Sequence, residues 1–183
     1  MKLTDNGGDL EQPEAGSYAA TCFKIIDLGT QAGEYQGKPI HRRQMVVGWE
    51  IDEKMTDGRP FIMTRFYTSS LNEKANLRKD LDAWRGVPFT EVELGGFDPK
   101  CMMGKSCLLS LTRNEKGKVR VSSVSKLPKG MNAPALAEPT VYFSLDEYDQ
   151  KVFDGLSEWF KKTIVQSPEY QAIQSKKADD VPF

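Results

Sequence analysis

The chain has 183 residues, of which 39% are hydrophobic and 28% are charged. This length and balance predict one soluble globular domain with appendages, and no apolar run approaches the ~20 residues that cross a bilayer. The polar, acidic N-terminus excludes a secretory signal peptide, so we expect a cytoplasmic protein with no membrane partner.

The net charge of −1 hides an uneven distribution along the chain. Residues 1–15 carry one lysine and four acids (−3), residues 16–130 carry 19 basic and 13 acidic residues (+6), and residues 131–183 carry five lysines and nine acids (−4). A basic body between acidic ends indicates an anionic partner for the body, with acidic ends that compete for the same surface. Chance unevenness in a near-neutral protein is the alternative.

The first ordered elements in the chain are predicted to be strands. Residues 1–15 are expected to form a flexible arm, and residues 30–42, with two glycines and a proline, are expected to form a loop. Asp57-Gly58 is a hairpin turn signal. Alternating apolar, β-branched and aromatic residues predict three strands, over residues 16–29, 43–52 and 60–68.

The hydrophobic period then changes to that of a helix over residues 70–86. Ser70 is the expected N-cap, Glu73 stands at the capping-box position and Gly86 ends the helix. A short helical turn is expected from Thr90. Two further strands, joined by a glycine-containing hairpin loop, are predicted over residues 104–114 and 118–127.

Three segments are expected after these strands. Residues 128–143, which are rich in proline, are predicted to form a linker. Residues 144–174 form a helical extension in this prediction, with one helix over 144–164 and a short helix over 167–173. Residues 175–183 are expected to form a flexible acidic tail that interacts with other proteins.

The order strand, strand, strand, helix, strand, strand is that of the OB-fold, a five-stranded barrel. We therefore predict a mainly β protein with helices, in which residues 16–127 form an OB-fold domain. In that fold the face of strands 2 and 3 and the loops after strands 1 and 4 bind oligonucleotides and oligosaccharides. Other small β-rich folds share the same element order.

No pattern in the sequence indicates an enzyme. The one histidine, His41, has no catalytic partner at a motif spacing, and a lone histidine in a loop is more often solvated than catalytic. Cys22, Cys101 and Cys107 lack the close pairing of a zinc or disulfide framework, so buried thiols are expected. We predict no catalytic residue, no metal and no cofactor.

Grooves that bind single-stranded nucleic acid combine cations, which track phosphates, with aromatic side chains, on which bases stack. The predicted sheet interleaves both types of residue. The candidate DNA-binding residues are Lys24, Tyr35, Lys38, Arg42, Arg43, Trp49, Arg59, Phe61, Arg65, Tyr67, Lys105, Arg113, Lys118 and Arg120. A solvated rim is the alternative for the basic residues of the last hairpin.

The alternation of residues assigns the aromatic side chains to faces. Trp49 shares its face with apolar neighbours, which is more typical of a core residue than of a stacking platform. Phe61 and Tyr67 share their face with Arg65, and an arginine there predicts that the face is open to stacking bases. Phe66, on the other face, is then predicted to be core, and the tryptophans of both predicted helices are expected to pack.

The last six residues, ADDVPF, resemble the C-terminal tip of bacterial single-stranded DNA-binding proteins, which ends in aspartates, a hydrophobic residue, proline and phenylalanine. In that family the tip docks on replication, recombination and repair proteins. The resemblance implies a partner-binding role for Asp179, Asp180, Val181, Pro182 and Phe183. The present tip is shorter, with two acidic residues that follow two lysines.

Four segments of the body, YTSSLNEKANLRKDLDAWRG, FDPK, GKSCLLSLTRNEKGK and SVSKLPKG, are similar to segments of single-stranded DNA-binding or replication-associated proteins of tailed bacteriophages. The similarity covers roughly residues 16–170 and implies an OB-fold. We therefore predict a non-enzymatic protein that coats single-stranded DNA in phage replication or recombination, largely without sequence preference. Its tip would recruit replication, recombination or repair proteins.

The alternative is an interaction protein that mimics the tip of the host protein without binding DNA itself. A nuclease or ligase accessory is disfavoured, because no carboxylate cluster has the spacing of metal ligands. The sequence leaves the oligomeric state open, and a homo-oligomer is compatible with it.

Overall fold

The computed structural model of the chain describes residues 10–179. Over these residues the protein is mainly β, as predicted, with six strands and five α-helices. The strands are β1 (Gly16–Tyr35), β2 (Lys38–Lys54), β3 (Pro60–Thr68), β4 (Ser106–Arg113), β5 (Val119–Ser125) and β6 (Val141–Phe143). The helices are α1 (Asn76–Arg85), α2 (Glu91–Leu94), α3 (Gln150–Asp154), α4 (Glu158–Val165) and α5 (Pro168–Asp179), with a 3₁₀ helix at Pro99–Met102. None of these helices is long and apolar enough to span a membrane.

Five of the strands form one antiparallel sheet in the order β3-β2-β1-β4-β5. The short strand β6 pairs in parallel with β1. The sheet curls so that β3 and β5, at the two ends of this order, lie beside each other. There the guanidinium of Arg65 donates a hydrogen bond to the carbonyl of Ser122, with an N–O distance of 3.0 Å. The curled sheet has an inward face, against which α1 packs, and an outward face.

Strands β1 and β2 form a longer hairpin than the sequence predicts. Residues 30–42, expected as a loop, continue both strands as far as the pair Tyr35–Lys38. The turn consists of Gln36 and Gly37, whose φ angles are 51° and 76°, and a two-residue type I′ turn requires positive φ at both positions. The loop prediction is wrong because the glycines and the proline weaken the strand pattern, although only Gly37 is needed at the turn.

Two hydrophobic clusters cover the two faces of β2. On the inward face, Trp49 packs against Trp84 of α1, with ring centroids 6.0 Å apart. On the outward face, Val46 belongs to a cluster with Phe143 of β6 and Ile164 of α4. The C-terminal extension is therefore part of the fold, because it buries the outward face of β1 and β2.

Helix α1 begins at Asn76, later than the predicted start at Ser70. The Ser70 hydroxyl accepts a hydrogen bond from the Asn72 N–H, and the Asn72 side chain accepts one from the Lys74 N–H. Such local bonds compete with helical ones and favour a turn. The predicted end at Gly86 (φ 74°) is confirmed. The short helix predicted from Thr90 is also confirmed. It is α2, which begins with a capping box between Thr90 and Glu93.

The C-terminal extension differs from its prediction in three places. The single helix predicted over residues 144–164 is the pair α3 and α4, because Asp149 and Ser157 each cap a separate helix start. Part of the predicted linker forms β6. Helix α5 continues to Asp179, so the first residues of the predicted flexible tail are helical.

The N-terminal arm is docked over the segment that the structure describes, which corrects its prediction as flexible. The Glu11 carboxylate accepts hydrogen bonds from the Thr56 N–H and hydroxyl. The Gln12 side chain accepts one from the Val119 N–H at 2.8 Å. These contacts join the β2–β3 hairpin to the β4–β5 hairpin. The first nine residues lie outside the described part of the chain.

A buried carboxylate holds the proline-rich segment before β6 against the sheet. Glu50 of β2 is fully buried. Its two oxygens accept hydrogen bonds from the backbone N–H groups of Ala137 (2.9 Å) and Glu138 (2.6 Å). The Thr21 hydroxyl donates to the carbonyl of Pro134. The segment therefore follows a path that side chains of the sheet define.

Replacing Glu50 by alanine would leave two backbone N–H groups without their acceptor. An unsatisfied buried donor costs ~1–3 kcal/mol, so we expect Glu50→Ala to lower the free energy of unfolding by about 2–4 kcal/mol. Urea titration followed by tryptophan fluorescence measures this change. Glu53→Ala, at an exposed position of the same strand, is the control and should change stability by less than about 0.5 kcal/mol. A similar small effect for both variants would contradict this role of Glu50.

Candidate nucleic-acid interface

The C-terminal extension leaves part of the outward face of the sheet uncovered. In β3 the even-numbered side chains point outward, and Ile62, Thr64 and Phe66 are exposed. In β2 the even-numbered residues share the outward face, and Lys38 and Arg42 lie at its exposed end. Side chains from α4 and β5 border this surface. We call the following residues the open face: Tyr35, Lys38, Arg42, Thr64, Phe66, Arg120 and Trp159.

Two large aromatic side chains lie at the centre of the open face. Phe66 of β3 and Trp159 of α4 are 51% and 54% exposed. Their ring centroids are 5.7 Å apart and their planes meet at 85°, which is a favourable edge-to-face geometry. Side chains this large and apolar are seldom left in solvent together, so the pair offers two surfaces on which a planar ligand can stack.

A groove runs beside Phe66, where β3 and β5 lie next to each other. Its volume is about 540 Å³, and it is lined by Thr64, Phe66, Thr112, Arg120 and Ser122 together with Arg65 and Val121. None of these lining residues is acidic. The groove thus combines one aromatic ring, hydroxyl groups and an exposed arginine, which suits a ligand with an aromatic ring and a negative charge.

The hairpin of β1 and β2 extends the open face as a two-stranded ribbon. Beyond Arg43, whose carbonyl accepts a hydrogen bond from the Ser69 N–H, the strand β2 has no contact with β3 in the sheet, so residues 31–42 pair only with each other. On one side of the ribbon Tyr35 is 55% exposed, and the guanidinium carbon of Arg42 lies 5.4 Å from the centre of its ring. Lys38 lies directly opposite the tyrosine.

The base of this ribbon is fixed by the C-terminal helices. The carboxylate of Glu169 in α5 accepts hydrogen bonds from the N–H and hydroxyl of Thr30. The side-chain amide of Gln31 donates to the carbonyl of Thr163 in α4. The aromatic and basic side of the ribbon and the Phe66–Trp159 pair are therefore held by the same helices.

Three aromatic or basic residues predicted to face DNA from β3 point inward instead. Phe61 and Tyr67 are buried in the core. Arg65 is held on the same face by Asp80, at an N–O distance of 3.0 Å, and the Tyr67 hydroxyl donates to the same carboxylate at 2.6 Å. Burial raises the pKa of both Tyr67 and Asp80. This face of β3, predicted to be open to bases, is therefore the inward one. Arg65 is accommodated there because the half-buried carboxylate of Asp80 pairs with it.

Phe66, predicted to be a core residue, and Trp159, predicted to pack, are both exposed, so these two predictions are wrong. The pattern Ile62-Thr64-Phe66-Thr68 contains a signal for Phe66, because threonines alternate with apolar residues on a solvent-facing strand surface. Trp159 offers no such signal, since its exposure depends on how α4 packs. Trp49, the remaining predicted aromatic, is 1% exposed and lies in the core.

Several of the basic residues predicted to bind DNA form ion pairs with carboxylates of the protein itself. Arg43 pairs with Asp27 and Asp146, and the hydrogen bonding that its guanidinium donates to the Asp27 carboxylate contributes most to its raised pKa. Arg59 pairs with Asp57 in the turn between β2 and β3. Arg113 pairs with Glu14 of the N-terminal arm, with an N–O distance of 3.1 Å. Each of these arginines would have to exchange a carboxylate for a phosphate in order to contact DNA, and the exposed pairs of Arg59 and Arg113 are the weaker ones.

The remaining predicted lysines lie in three different places. Lys24 is half-buried between the rings of Phe23 and Phe160, and burial lowers its pKa. Lys105 lines a cavity beside α1. Lys118 is exposed in the β4–β5 hairpin. From the predicted set, the structure therefore leaves Tyr35, Lys38 and Arg42 exposed on the ribbon and Arg120 exposed in the groove beside Phe66.

The predicted partner-binding tip is described only at its first residue. Asp179 is the last residue of α5. Asp180, Val181, Pro182 and Phe183 lie outside the described residues.

The thiols and the histidine do not form a reactive cluster in the described part of the chain. Cys22 and Cys107 are buried, and burial raises the pKa of the Cys22 thiol to about 12. Cys101 and His41 are exposed at separate sites. Between residues 10 and 179, no group of three or more His, Cys, Asp or Glu side chains is arranged to hold a metal ion.

No family model, curated protein or solved structure matches this chain. Its function is therefore inferred from its own residues and their geometry.

Two substitutions of phenylalanine by alanine in β3 test which face of the strand is buried. Phe61→Ala removes a ring that is 7% exposed and should lower the free energy of unfolding by about 3–5 kcal/mol. Phe66→Ala removes a ring in solvent and should cost less than about 1 kcal/mol. Urea titration of both variants measures the difference. A larger loss for Phe66→Ala than for Phe61→Ala would show that the assignment of the two faces is wrong.

Proposed function

We propose that this protein binds single-stranded DNA on the open face, largely without sequence preference. The observation that carries the proposal is the exposed Phe66–Trp159 pair beside an exposed Arg120, on a surface whose seven defining residues include no acid. Every base has an aromatic face, so stacking tolerates any sequence. Cations along the same path contact phosphates in the same tolerant way.

We further propose that the curled sheet is an OB-fold barrel. Its strand order, the position of β3 beside β5, and a helix between β3 and β4 support this assignment. In OB-folds, oligonucleotides bind across strands 2 and 3. The open face lies on β2 and β3 and extends along the hairpin that connects β1 to β2.

A strand of DNA crossing this surface would meet two kinds of contact. Bases stack on Phe66, Trp159 and Tyr35, with each stacked base contributing ~1–3 kcal/mol. Phosphates pair with Arg120 on one side and with Arg42 on the ribbon. Because these cations are exposed and have no carboxylate within salt-bridge distance among the described residues, they can form phosphate contacts without first breaking an ion pair.

The setting that best fits this activity is phage DNA replication or recombination, with the protein coating exposed single strands. The ground for this setting is the resemblance of four short body segments to bacteriophage single-stranded DNA-binding proteins, which is a resemblance of segments and not a match to a family model or a curated protein. The likeness of residues 179–183 to the tips of bacterial single-stranded DNA-binding proteins supports recruitment of replication, recombination or repair proteins. No catalytic step is proposed.

Fluorescence anisotropy with a labelled thymidine oligonucleotide tests the proposal directly. We expect Phe66→Ala/Trp159→Ala to weaken binding by about 30-fold or more, since two stacking surfaces are lost. Val92→Ala, which removes an exposed apolar side chain on α2, is the control and should bind like the unaltered protein. Equal affinity of all three proteins would rule out the aromatic pair as the binding surface.

The salt dependence of the same binding reports on the phosphate contacts. The logarithm of the association constant should fall with the logarithm of salt concentration, with a slope near ~0.7 for each phosphate contacted on a single strand. Arg42→Glu and Arg120→Glu should each reduce this slope, whereas Lys79→Glu, on the exposed side of α1, should not. Affinity that does not depend on salt would contradict the proposed groove.

A further inference from the structure

A second cavity lies beside α1 and shares no residue with the open face. Its volume is about 450 Å³, which is within the range of sites that bind small ligands or single peptide side chains. Apolar side chains form much of its wall: Leu81, Trp84, Phe97, Met102 and Leu127. We call it the helix-side cavity. Its walls come from α1, the 3₁₀ helix and the segment after β5, so it is built by the tertiary fold.

The same cavity carries three basic side chains and no acidic one among its lining residues. These are Arg85, Lys105 and Lys126. Lys126 lies across the end of α1, where Gly86 has no side chain; a Cβ there would come within 2.9 Å of the lysine Cδ. One amino group of Arg85 pairs with Glu93, but its Nη1 is buried and has no hydrogen-bond partner among the described residues.

An apolar cavity with basic residues suits an acidic segment that also carries bulky apolar side chains. Three basic side chains and no acidic one give the cavity a positive lining, which favours a ligand that carries carboxylates. This chain contains such a segment at residues 179–183, where two aspartates precede Val181, Pro182 and Phe183. The two charges match the basic residues, and the phenylalanine and valine match the apolar wall.

We propose that the helix-side cavity binds residues 179–183 of a second copy of this chain. A second copy is favoured because the last turn of α5 lies against the outward cluster, where Lys177 is 4.6 Å from the centre of the Tyr148 ring, whereas the cavity is built on the inward cluster around Leu81 and Trp84. The contact is heterologous, since a segment of one copy meets a different surface of the next. Contacts of this kind join copies head to tail.

This arrangement would let neighbouring copies associate on one DNA strand while the open face of each remains free. Docking itself does not depend on the proposed DNA binding, so each can fail without the other. The interface is small, and association also costs translational and rotational freedom. We therefore expect weak affinity, with a dissociation constant on the order of 10–100 µM.

A peptide of residues 174–183, QSKKADDVPF, with both ends blocked, is the probe for this site. Isothermal titration against the full chain should show binding. Lys105→Glu/Lys126→Glu should weaken it at least tenfold, whereas Lys74→Glu/Lys79→Glu makes the same charge change at exposed positions outside the cavity and should leave it unchanged. A peptide with Phe183→Ala should also bind at least tenfold more weakly. No binding, or equal binding by the cavity variant and the control, would overturn the proposal.

Sedimentation of the full chain without DNA distinguishes a second copy from the same copy. Concentration-dependent association should be lost in Phe183→Ala and in Lys105→Glu/Lys126→Glu, and regained when the two variants are mixed, because one supplies the segment and the other the cavity. If the unaltered protein stays monomeric and binds the peptide only after Phe183→Ala, the segment docks within its own chain and the second-copy proposal is wrong.

Discussion

Strand β2 is buried on both faces from Met45 to Ile51, and the rest of the structure depends on this double burial. Its inward side chains pack with α1, and its outward side chains lie beneath β6 and the C-terminal helices. The extension covers β1 and β2 but leaves the outward side chains of β3 exposed. Helix α4 then brings Trp159 to the edge of β3. The packing that stabilises the sheet therefore also creates the open face.

Elements with local signals could be predicted from the sequence, and elements set by distant partners could not. The β4–β5 hairpin and the end of α1 at Gly86 follow from nearby residues. The prediction of which face of β3 is exposed is wrong, because an arginine within a strand normally indicates a face open to solvent. Here Arg65 is half-buried at the seam between β3 and β5, since Asp80 of α1 neutralises it and the Ser122 carbonyl of β5 accepts its hydrogen bond. Neither partner is evident from the sequence of β3.

The candidate site was predictable in the same partial way. The exposure of the cations on the ribbon and on β5 could be predicted, because they stand in polar segments of the sequence, GKPIHRRQ and KGKVRVSS. Arg113 does not belong to the candidate site, because it pairs with Glu14 of the N-terminal arm, which is distant from it in the sequence. Trp159 could not be assigned, since only the packing of α4 on the sheet places it beside Phe66. The aromatic and basic residues of the sequence thus predicted that a surface with exposed rings exists. Which rings form that surface depends on tertiary contacts, which the sequence does not reveal.

The open face and the helix-side cavity have no residue in common, so a nucleic acid and a peptide segment can be accommodated together. If bases contact the Phe66–Trp159 pair, photocrosslinking to an oligonucleotide that contains 5-iodouracil, followed by mass spectrometric mapping, should detect them there. We predict crosslinks at Phe66 or Trp159. Crosslinks confined to residues of the helix-side cavity, or none at low salt, would contradict this prediction.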